Sequence, residues 1–311
     1  MIKNFKELKK IAMKIGPQRI AIAAANNHET VLAAVEAKKY GMVEPILIGN
    51  KSWIIEELER LEQDPNQFEC LDEQDPAKAA YQAVKIVASG EASILMKGNV
   101  STSTFLSTAL SRSAGLRTKE LLSDVEVFED NRNNKEKLMI VTDGGINIKP
   151  GIKEKISIIK KAVSVAHRIG YKIPKVGLLS ASEKIHPDVQ STIDAVAIAK
   201  IFQMDHISDC IVDGPFALDN VVDLKSALGK GIESPIAGDA DILVMPNMEA
   251  GNIFGKCLVY FAGKDLAHVA LGAKAPILIP SRTAHVETKL SSIALAVLMS
   301  NNKKLPDING K

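Results

Sequence analysis

Cysteine and aromatic side chains are scarce in this 311-residue chain. The three cysteines, Cys70, Cys210 and Cys257, are odd in number and include no CxxC pair. This argues against a disulfide framework and against a structural zinc site. Aromatic residues make up only 4% of the chain, and the formal net charge is +2. Nucleic-acid-binding proteins usually carry a basic surface with stacking aromatic residues, so this class is disfavoured.

Long apolar runs and repeats are also missing from the sequence. No run reaches the roughly 18 apolar residues that a membrane-spanning helix needs. The N-terminal stretch, MIKNFKELKKIAMKIG, has lysines throughout and lacks the unbroken apolar centre of a signal peptide. No internal repeat or low-complexity segment is present. We therefore expect a cytoplasmic globular protein with neither a membrane nor a nucleic-acid partner, and its length favours about two domains.

The chain instead has short apolar runs, each ended by a helix- or strand-breaking residue and followed by an amphipathic segment. Such runs are typical of strands buried in a parallel sheet, and the alternation with helices indicates an α/β fold. The predicted strands are Arg19–Ala25, Glu44–Ile48, Ser93–Met96, Lys137–Thr142, Lys175–Leu179, Cys210–Val212, Ile242–Met245 and Ala275–Ile279. The predicted helices are Phe5–Ile15, Glu29–Tyr40, Ala77–Ser89, Ile152–Ile169, Pro187–Phe202 and Glu287–Met299.

These elements divide into two α/β domains with parallel-rich sheets. We place residues 1–146 and 282–311 in the first domain and residues 147–281 in the second. The polar residues that follow each strand are expected at the carboxyl ends of the sheet, where open α/β sheets bind their ligands.

Three stretches supply candidate binding residues at such strand ends. The first contains Asp213 and Gly214, and the second contains Asn247, Glu249 and Asn252. Capping of loops by Asp and Asn side chains explains any one of them equally well. The third stretch begins where a predicted strand ends and a helix starts, and its candidates are Lys97, Gly98, Asn99, Ser101 and Thr102.

In this third stretch a glycine and several hydroxyls at a helix N-terminus could hold an anion through backbone N–H groups. Simple N-capping by Ser or Thr is the competing interpretation. The stretch is not a Walker loop, because GxxxxGK[ST] is absent here and the spacing at Gly251–Cys257 is short by one residue.

Four longer motifs resemble the phosphate acetyl/butyryltransferase family, and they are most similar to its butyryltransferase branch. The motifs are GPFALDN, SPIAGDADILVMPNMEAGN, GAKAPILIPSR and ETKLSSIALA, and the resemblance extends from Ile94 to the final helix. It implies an isocitrate/isopropylmalate dehydrogenase-like fold with an interdomain cleft, and usually a homodimer. It also implies a reaction of acyl-CoA with phosphate that gives acyl phosphate and CoA. CoA and phosphate take part as substrates, and neither a further cofactor nor a metal is expected.

The resemblance also implies roles for Ser281 and Arg282. The serine polarises the acyl carbonyl, and the arginine binds phosphate or CoA, for which its planar fork of donors is suited. The competing interpretation is a helix-capping serine beside a solvated arginine. Neither Cys210 nor Cys257 has a neighbouring histidine that would make its thiol a thiolate, so we expect direct attack in a ternary complex rather than an acyl-cysteine.

The base for the thiol proton is not fixed by the resemblance. Relatives in the acetyltransferase branch carry an Asp six residues after the arginine, where this chain has Thr288. Glu287 and His285 are the neighbouring titratable residues, and both are kept as candidates.

Two other functions remain possible from the sequence alone. A metal- and NAD-dependent hydroxyacid dehydrogenase shares the implied fold, but the chain lacks that group's arginine-rich substrate segment. A non-catalytic ligand-binding relative would explain the missing Asp at position 288. The acyl chain is left open, because one methylene changes binding by only about 1–3 kcal/mol.

Overall fold

The computed structural model describes residues 1–132, 136–204, 209–281, 284–301, 303 and 305–306. The strands are β1 (Gln18–Ala23), β2 (Val43–Gly49), β3 (Glu69–Asp72), β4 (Ile94–Lys97), β5 (Ser123–Asp130), β6 (Lys137–Thr142), β7 (Lys175–Leu179), β8 (Ile211–Phe216), β9 (Ile242–Val244), β10 (Leu266–Leu271) and β11 (Ile277–Leu278). The helices are α1 (Phe5–Ile15), α2 (His28–Lys39), α3 (Lys51–Arg60), α4 (Pro76–Ala88), α5 (Thr102–Ala109), α6 (Ile152–Ile169), α7 (Gln190–Met204), α8 (Leu218–Val222), α9 (Leu224–Gly229), α10 (Met248–Tyr260) and α11 (Val286–Ser300).

The chain forms two units, which we call the N-terminal unit and the central unit. The N-terminal unit contains Phe5–Leu122 and Ala267–Lys311, and the central unit contains Met1–Asn4 and Ser123–Leu266. These limits differ from the sequence-based division after residues 146 and 281. The reason is strand pairing: β5 and β6 form an antiparallel pair, and β6 lies parallel to β9, so both strands join the central unit.

The sheet of the N-terminal unit has the strand order β3-β2-β1-β4-β11-β10. All of its pairs are parallel except β10 with β11. Helix α11 packs against α1 and α2, and its residues Lys289–Leu298 are buried. The apolar final helix predicted from the sequence is therefore part of this unit's core.

The central unit has the strand order β5-β6-β9-β7-β8. Strands β6, β9, β7 and β8 are parallel to one another, and β5 is antiparallel to β6. One core cluster lies on this sheet and includes Phe128, Met139, Leu243 and Phe216. The predicted α/β class with parallel-rich sheets is confirmed in both units.

The local reasons for the helix ends are those expected from the sequence. Asp75 caps α4 by accepting hydrogen bonds from the N–H groups of Ala77 and Lys78, with Pro76 at the first helical position. Gly170 ends α6 with a φ of 108°, a left-handed conformation that glycine adopts without strain.

Some sequence-based assignments need correction. Asp213 and Gly214 lie within β8 rather than beyond its end, because the strand continues past the short apolar run. Helix α3 occupies a segment that lacks clear periodicity, and β5 and β10 were not predicted. Within the residues described, no helix combines the length and the apolar composition that crossing a membrane requires.

Candidate active site

Three neighbouring parallel strands of the N-terminal unit end at the same edge of its sheet. In register, Ala23 of β1 lies opposite Lys97 of β4, and Leu278 of β11 lies opposite Met96. The segments that follow these strands therefore start side by side. They contain Asn26–His28 after β1, Gly98–Thr102 after β4, and Ser281 after β11. This edge brings together Ser281 and the five candidates of the third stretch.

Gly98 allows the loops after β1 and β4 to touch. A Cβ atom at this position would lie 2.4 Å from the carbonyl oxygen of Ala24 and 2.7 Å from that of Ala23. The Gly98 N–H instead donates to the Ala23 carbonyl at 2.8 Å, and the Asn99 N–H donates to the Ala24 carbonyl at 2.7 Å. A larger residue at position 98 would force the two loops apart.

Lys97 is buried, although it ends a strand that leads into polar residues. Its Nζ donates to the carbonyl oxygens of Gly98 at 3.2 Å and Val100 at 3.3 Å. The ammonium group thus stabilises the backbone of the loop that carries the hydroxyls. This hydrogen bonding offsets the cost of removing a charge from water.

The hydroxyls of the same loop cap α5 and face solvent. The Ser101 Oγ accepts from the Thr104 N–H at 3.1 Å and donates to the Thr104 Oγ1 at 2.7 Å. Ser101 and Thr102 are both exposed, and the Asn99 Nδ2 donates to the Asn26 carbonyl at 3.3 Å. The capping role is thus present, and the exposed hydroxyls remain accessible to a ligand.

A hydrogen bond from the buried Lys289 stabilises the segment after β11. Ser281 is exposed, and its carbonyl accepts from the Ala284 N–H at 3.1 Å. The Ala284 carbonyl accepts from Nζ of Lys289 at 2.5 Å. Burial lowers the pKa of Lys289, while the Glu29 carboxylate acts in the opposite direction. Arg282 lies outside the described residues.

The two candidate bases from the sequence lie at the start of α11. Glu287 is 60% exposed, and its carboxylate pairs with Lys9 of α1 at 2.5 Å. His285 is exposed and occupies the N-cap position, where its side chain makes no capping hydrogen bond.

A histidine–glutamate pair at the same edge was not anticipated from the sequence. His28 begins α2, and its Nδ1 lies 2.5 Å from Oε1 of Glu57 in α3. Glu57 is fully buried, and its Oε2 lies 2.7 Å from Nη2 of Arg60. The only sequence signal was the position of His28 directly after a strand end.

In the central unit, Asp213 and Gly214 are engaged by their own surroundings. The Asp213 Oδ1 accepts from the Gly214 N–H at 2.8 Å, and its Oδ2 accepts from the Ser234 hydroxyl at 2.6 Å. Gly214 packs closely on β7, because a Cβ atom there would lie 2.7 Å from the Cβ of Leu178.

The remaining candidates of the central unit lie on α10. Asn247 is its N-cap and accepts from the Ala250 N–H at 2.9 Å. Glu249 is exposed in the first turn. The Asn252 Nδ2 donates to the Gly144 carbonyl at 3.2 Å. The structure thus brings Asn247, Glu249 and Asn252 together on one helix, with Asp213 on a different strand.

The central unit also contains a buried carboxyl that the sequence did not single out. Asp143 follows β6, and its Oδ1 accepts from the N–H groups of Gly145 at 2.9 Å and Ile146 at 2.8 Å. Burial raises the pKa of Asp143, and the nearby Asp124 adds to this effect. An Asp-Gly-Gly sequence after a strand was the available signal.

The cysteines lack the surroundings of a nucleophile. Burial raises the pKa of the Cys210 thiol to about 12, and the Asp209 carboxylate contributes. Burial also raises the pKa of Cys70. Cys257 is exposed on α10.

Comparison with known proteins gives a consistent result along the whole chain. A family profile described as phosphate acetyl/butaryl transferase matches residues 72–297. The phosphate butyryltransferase of Clostridium beijerinckii is 39% identical over 304 residues, which cover 98% of this chain and 100% of that protein.

Solved structures agree with this result. A branched-chain phosphotransacylase from Enterococcus faecalis V583 superposes with a TM-score of 0.80 at 29% identity, covering 91% of this chain and 99% of that one. A Salmonella typhimurium structure assigned as a 4-hydroxythreonine-4-phosphate dehydrogenase superposes with a TM-score of 0.55 at 13% identity, covering 91% and 99%. This second likeness shows the fold alone and agrees with the dehydrogenase-like architecture implied by the sequence.

Proposed function

This chain is an enzyme of the phosphate acetyl/butyryl transferase family, and from this premise we propose that it transfers a short or branched acyl group from acyl-CoA to phosphate. The products are an acyl phosphate and free CoA. The observation that carries the proposal is the 39% identity with a phosphate butyryltransferase over nearly the full length of both chains.

The acyl preference follows from the similar proteins. One is named for butyryl transfer and another for branched-chain acyl transfer. We therefore assign butyryl-CoA or a branched short acyl-CoA as the better substrate and acetyl-CoA as the poorer one. The difference is expected to be modest, because each methylene changes binding by about 1–3 kcal/mol.

In the proposed mechanism a phosphate oxygen attacks the thioester carbonyl directly, within a ternary complex. Ser281 polarises that carbonyl and Arg282 binds phosphate, with Lys97, Gly98, Asn99, Ser101 and Thr102 forming the adjacent loop. The exposure of Ser281 and of the loop hydroxyls at one sheet edge supports this arrangement. We assign Asp213, Gly214, Asn247, Glu249 and Asn252 to substrate binding from the central unit.

The state of the cysteines supports direct attack. A covalent acyl-cysteine requires a thiolate nucleophile. The Cys210 thiol has a pKa of about 12, so it is protonated at neutral pH. No covalent cysteine intermediate is therefore part of the proposal.

We also propose that the enzyme is a cytoplasmic homodimer. The outer face of α10 and the residue after it expose large apolar side chains: Ile253 is 64% exposed, Tyr260 70% and Phe261 90%. Single exposed apolar residues are ordinary, but a group along one helix is typical of a protein interface. The three free cysteines suit a reducing compartment, where CoA is also found.

The hydroxyacid dehydrogenase alternative is not favoured, because the likeness to a dehydrogenase is limited to the fold. Thiol release from a panel of acyl-CoAs, with and without phosphate, tests the proposed function. We expect phosphate-dependent release that is faster with butyryl-CoA than with acetyl-CoA. Absence of phosphate-dependent release across the whole panel would overturn the proposal, and NAD reduction with hydroxyacids would replace it.

A further inference from the structure

His28 is an exposed imidazole that is held by a buried carboxylate. Its side chain is 47% exposed, whereas that of Glu57 is 0% exposed. A carboxylate without a proton can only accept hydrogen bonds. The contact between Nδ1 of His28 and Oε1 of Glu57 therefore places the ring hydrogen on Nδ1. This leaves the lone pair of Nε2 on the other side of the ring.

Burying a carboxylate is unfavourable unless cations or donors compensate it. Here the Glu57 carboxylate lies between His28 and Arg60, which contact one oxygen each. A buried acid that orients an imidazole through Nδ1 is the arrangement in which enzymes use Nε2 for proton transfer. Among the described residues, Glu57 of α3 contacts His28, Arg60 of α3 pairs with Glu57, and Glu29 is the chain neighbour of His28 on α2.

The start of α2 lies near the segment that carries Ser281, because α2 packs against α11. Glu29, the residue after His28, acts electrostatically on Lys289, raising a pKa that burial lowers. Lys289 in turn donates to the Ala284 carbonyl, and the Ala284 N–H donates to the Ser281 carbonyl. The start of α2 and the segment after β11 are therefore close neighbours within the N-terminal unit.

A second connection links His28 to the loop after β4. Asn26, two residues before His28, accepts from the Asn99 Nδ2 through its carbonyl. Its Oδ1 accepts from the Asn50 N–H at 3.1 Å, which fixes the loop on its other side. The imidazole thus sits on a loop whose backbone is held from both directions.

We propose that His28 is the catalytic proton acceptor and donor of this enzyme, and that Glu57 is its positioning residue; this rests on the proposed function. When hydrogen phosphate attacks the thioester, its oxygen forms a bond to the carbonyl carbon and its proton moves to Nε2 of His28. The C–S bond then breaks, the sulfur keeps the electron pair, and the imidazolium returns the proton to it. In the reverse direction Nε2 takes the thiol proton as sulfur bonds to the carbonyl carbon of the acyl phosphate; the bond from that carbon to the phosphate oxygen then breaks, and the imidazolium gives the proton to the leaving phosphate.

This assignment supplies a base for a chain that has Thr288 where acetyltransferase relatives carry an Asp. Of the two candidates nearby, Glu287 is already paired with Lys9 in an exposed position. His285 lies at a helix start without a capping bond to fix its ring. His28 alone among these three contacts a fully buried carboxylate in the part of the chain that the structure describes.

The first test is His28→Asn, measured as the rate of acyl-CoA formation from butyryl phosphate and CoA near neutral pH. We expect kcat to fall by about 10²–10³, within the range that general acid–base catalysis contributes. The matched control is His186→Asn, because His186 is a 56% exposed histidine of the central unit. Its kcat should stay within about twofold of wild type, because the proposal gives His186 no part in proton transfer. Melting curves establish that both variants are folded.

Two further readouts separate proton transfer from a structural role. A free thiol has a pKa of about 8.5, so raising the pH to about 9.5 supplies CoA thiolate without a base. The deficit of His28→Asn should then shrink by about tenfold or more. In His28→Ala, added imidazole should restore part of the rate, because the site is open to solvent. Glu57→Gln should lower kcat by about tenfold and alter the pH profile while leaving the KM for CoA nearly unchanged.

The outcomes distinguish this inference from the proposed function. If wild-type protein shows no phosphate-dependent CoA release, the proposed function fails first. If wild type is active and folded His28→Asn keeps kcat within about threefold, with an unchanged pH profile, then only the role of His28 is overturned. A large loss that neither high pH nor imidazole restores would also contradict proton transfer.

Discussion

In the N-terminal unit three of the polar side chains that follow β1, β4 and β11 are exposed, whereas in the central unit Asp143 and Asp213 bond to backbone groups beside them. His28, Ser101 and Ser281 are exposed. By contrast, Asp143 and Asp213 accept from backbone N–H groups next to them in the chain. The difference shows that a polar residue at a strand end can either stay accessible to a ligand or stabilise the turn in which it lies.

Buried lysines account for much of this contrast. Lys97 and Lys289 donate to backbone carbonyls from inside the N-terminal unit. Because these lysines hold the loops through their carbonyls, the Ser101 and His28 side chains stay exposed, although each also has a partner within the unit. In the central unit the Asp143 and Asp213 side chains themselves stabilise the adjacent backbone by accepting its hydrogen bonds. We therefore expect substitutions at the ends of β1, β4 and β11 to affect turnover, and substitutions of Asp143 to affect stability.

The largest effect is expected from Arg282→Ala, which should lower kcat by about 10²–10³ through loss of a preorganised charged donor. Arg282→Lys should weaken the use of phosphate more than that of acyl-CoA, because lysine lacks the planar fork. Steady-state kinetics with phosphate varied measures both. The control is Arg19→Ala, since Arg19 pairs with Glu69 and Glu91 near the opposite end of β1. Near-normal phosphate kinetics in folded Arg282→Ala would move the anion site elsewhere.

A smaller loss is expected from Lys289→Met. Methionine fills similar space without a charge, so folding should be preserved, but the Ala284 carbonyl loses its lysine donor. Displacement of the Ser281 segment should lower kcat by about tenfold. Lys39→Met is the comparison, because Lys39 is 49% exposed and pairs with Glu36 of the preceding turn of α2. A lower melting temperature with unchanged kcat would assign Lys289 to folding alone.

In the central unit, Asp143→Ala should lower the free energy of unfolding by about 2–4 kcal/mol, because the N–H groups of Asp124, Gly145 and Ile146 lose their acceptor. The kcat of folded Asp143→Ala should change less than the kcat of Lys289→Met. Asp188→Ala is the control, since the Asp188 side chain is 90% exposed. Denaturant unfolding monitored beside specific activity decides between the two effects.

The same variant has a defined pH dependence. The folded-state pKa of Asp143 is raised above its unfolded value. The stability that this group contributes is therefore fully present below the unfolded pKa and is lost as the pH rises through the folded pKa. The difference in stability between wild type and Asp143→Ala should be larger near pH 4 than near pH 7. A difference that grows towards neutral pH would contradict the raised pKa.

The smallest effect is expected when all three cysteines are replaced, as Cys70→Ser, Cys210→Ala and Cys257→Ser. Because the proposed mechanism forms no acyl-cysteine, kcat should remain within about threefold of wild type in folded protein. Reaction with a radiolabelled acyl-CoA, followed by denaturation, should leave no label on wild-type enzyme. Stoichiometric label on one cysteine would replace the ternary-complex mechanism with a covalent one.

Much of the fold could be predicted because each buried parallel strand is a short apolar run with a breaker after it. Lys137–Thr142, Ile152–Ile169 and Lys175–Leu179 agree with the structure residue for residue. Strand β5 escaped because its sequence, SDVEVFED, places Asp124, Glu126 and Asp130 in buried positions. A pattern based on hydrophobicity cannot find a strand whose carboxylates are buried.

The site was less predictable, because its contacts join residues far apart in sequence. Glu57 meets His28 across 29 residues and lies in a segment without clear periodicity. Lys289 belongs to an ETK sequence that suggests a solvated charge, yet it is 1% exposed. Tertiary packing, rather than local pattern, decides which of these charges is buried.

Helix α11 has a consequence for how the chain is made. It is buried against α1 and α2, and β11 lies between β4 and β10. The ribosome therefore delivers the last pieces of the N-terminal unit only after the whole central unit has been synthesised. At about 5–20 residues per second, the wait between residues 122 and 300 is roughly 10–35 s. During translation the faces of α1 and α2 remain uncovered while residues 123–266 can already fold, so residues 5–122 belong to the unit that is completed last.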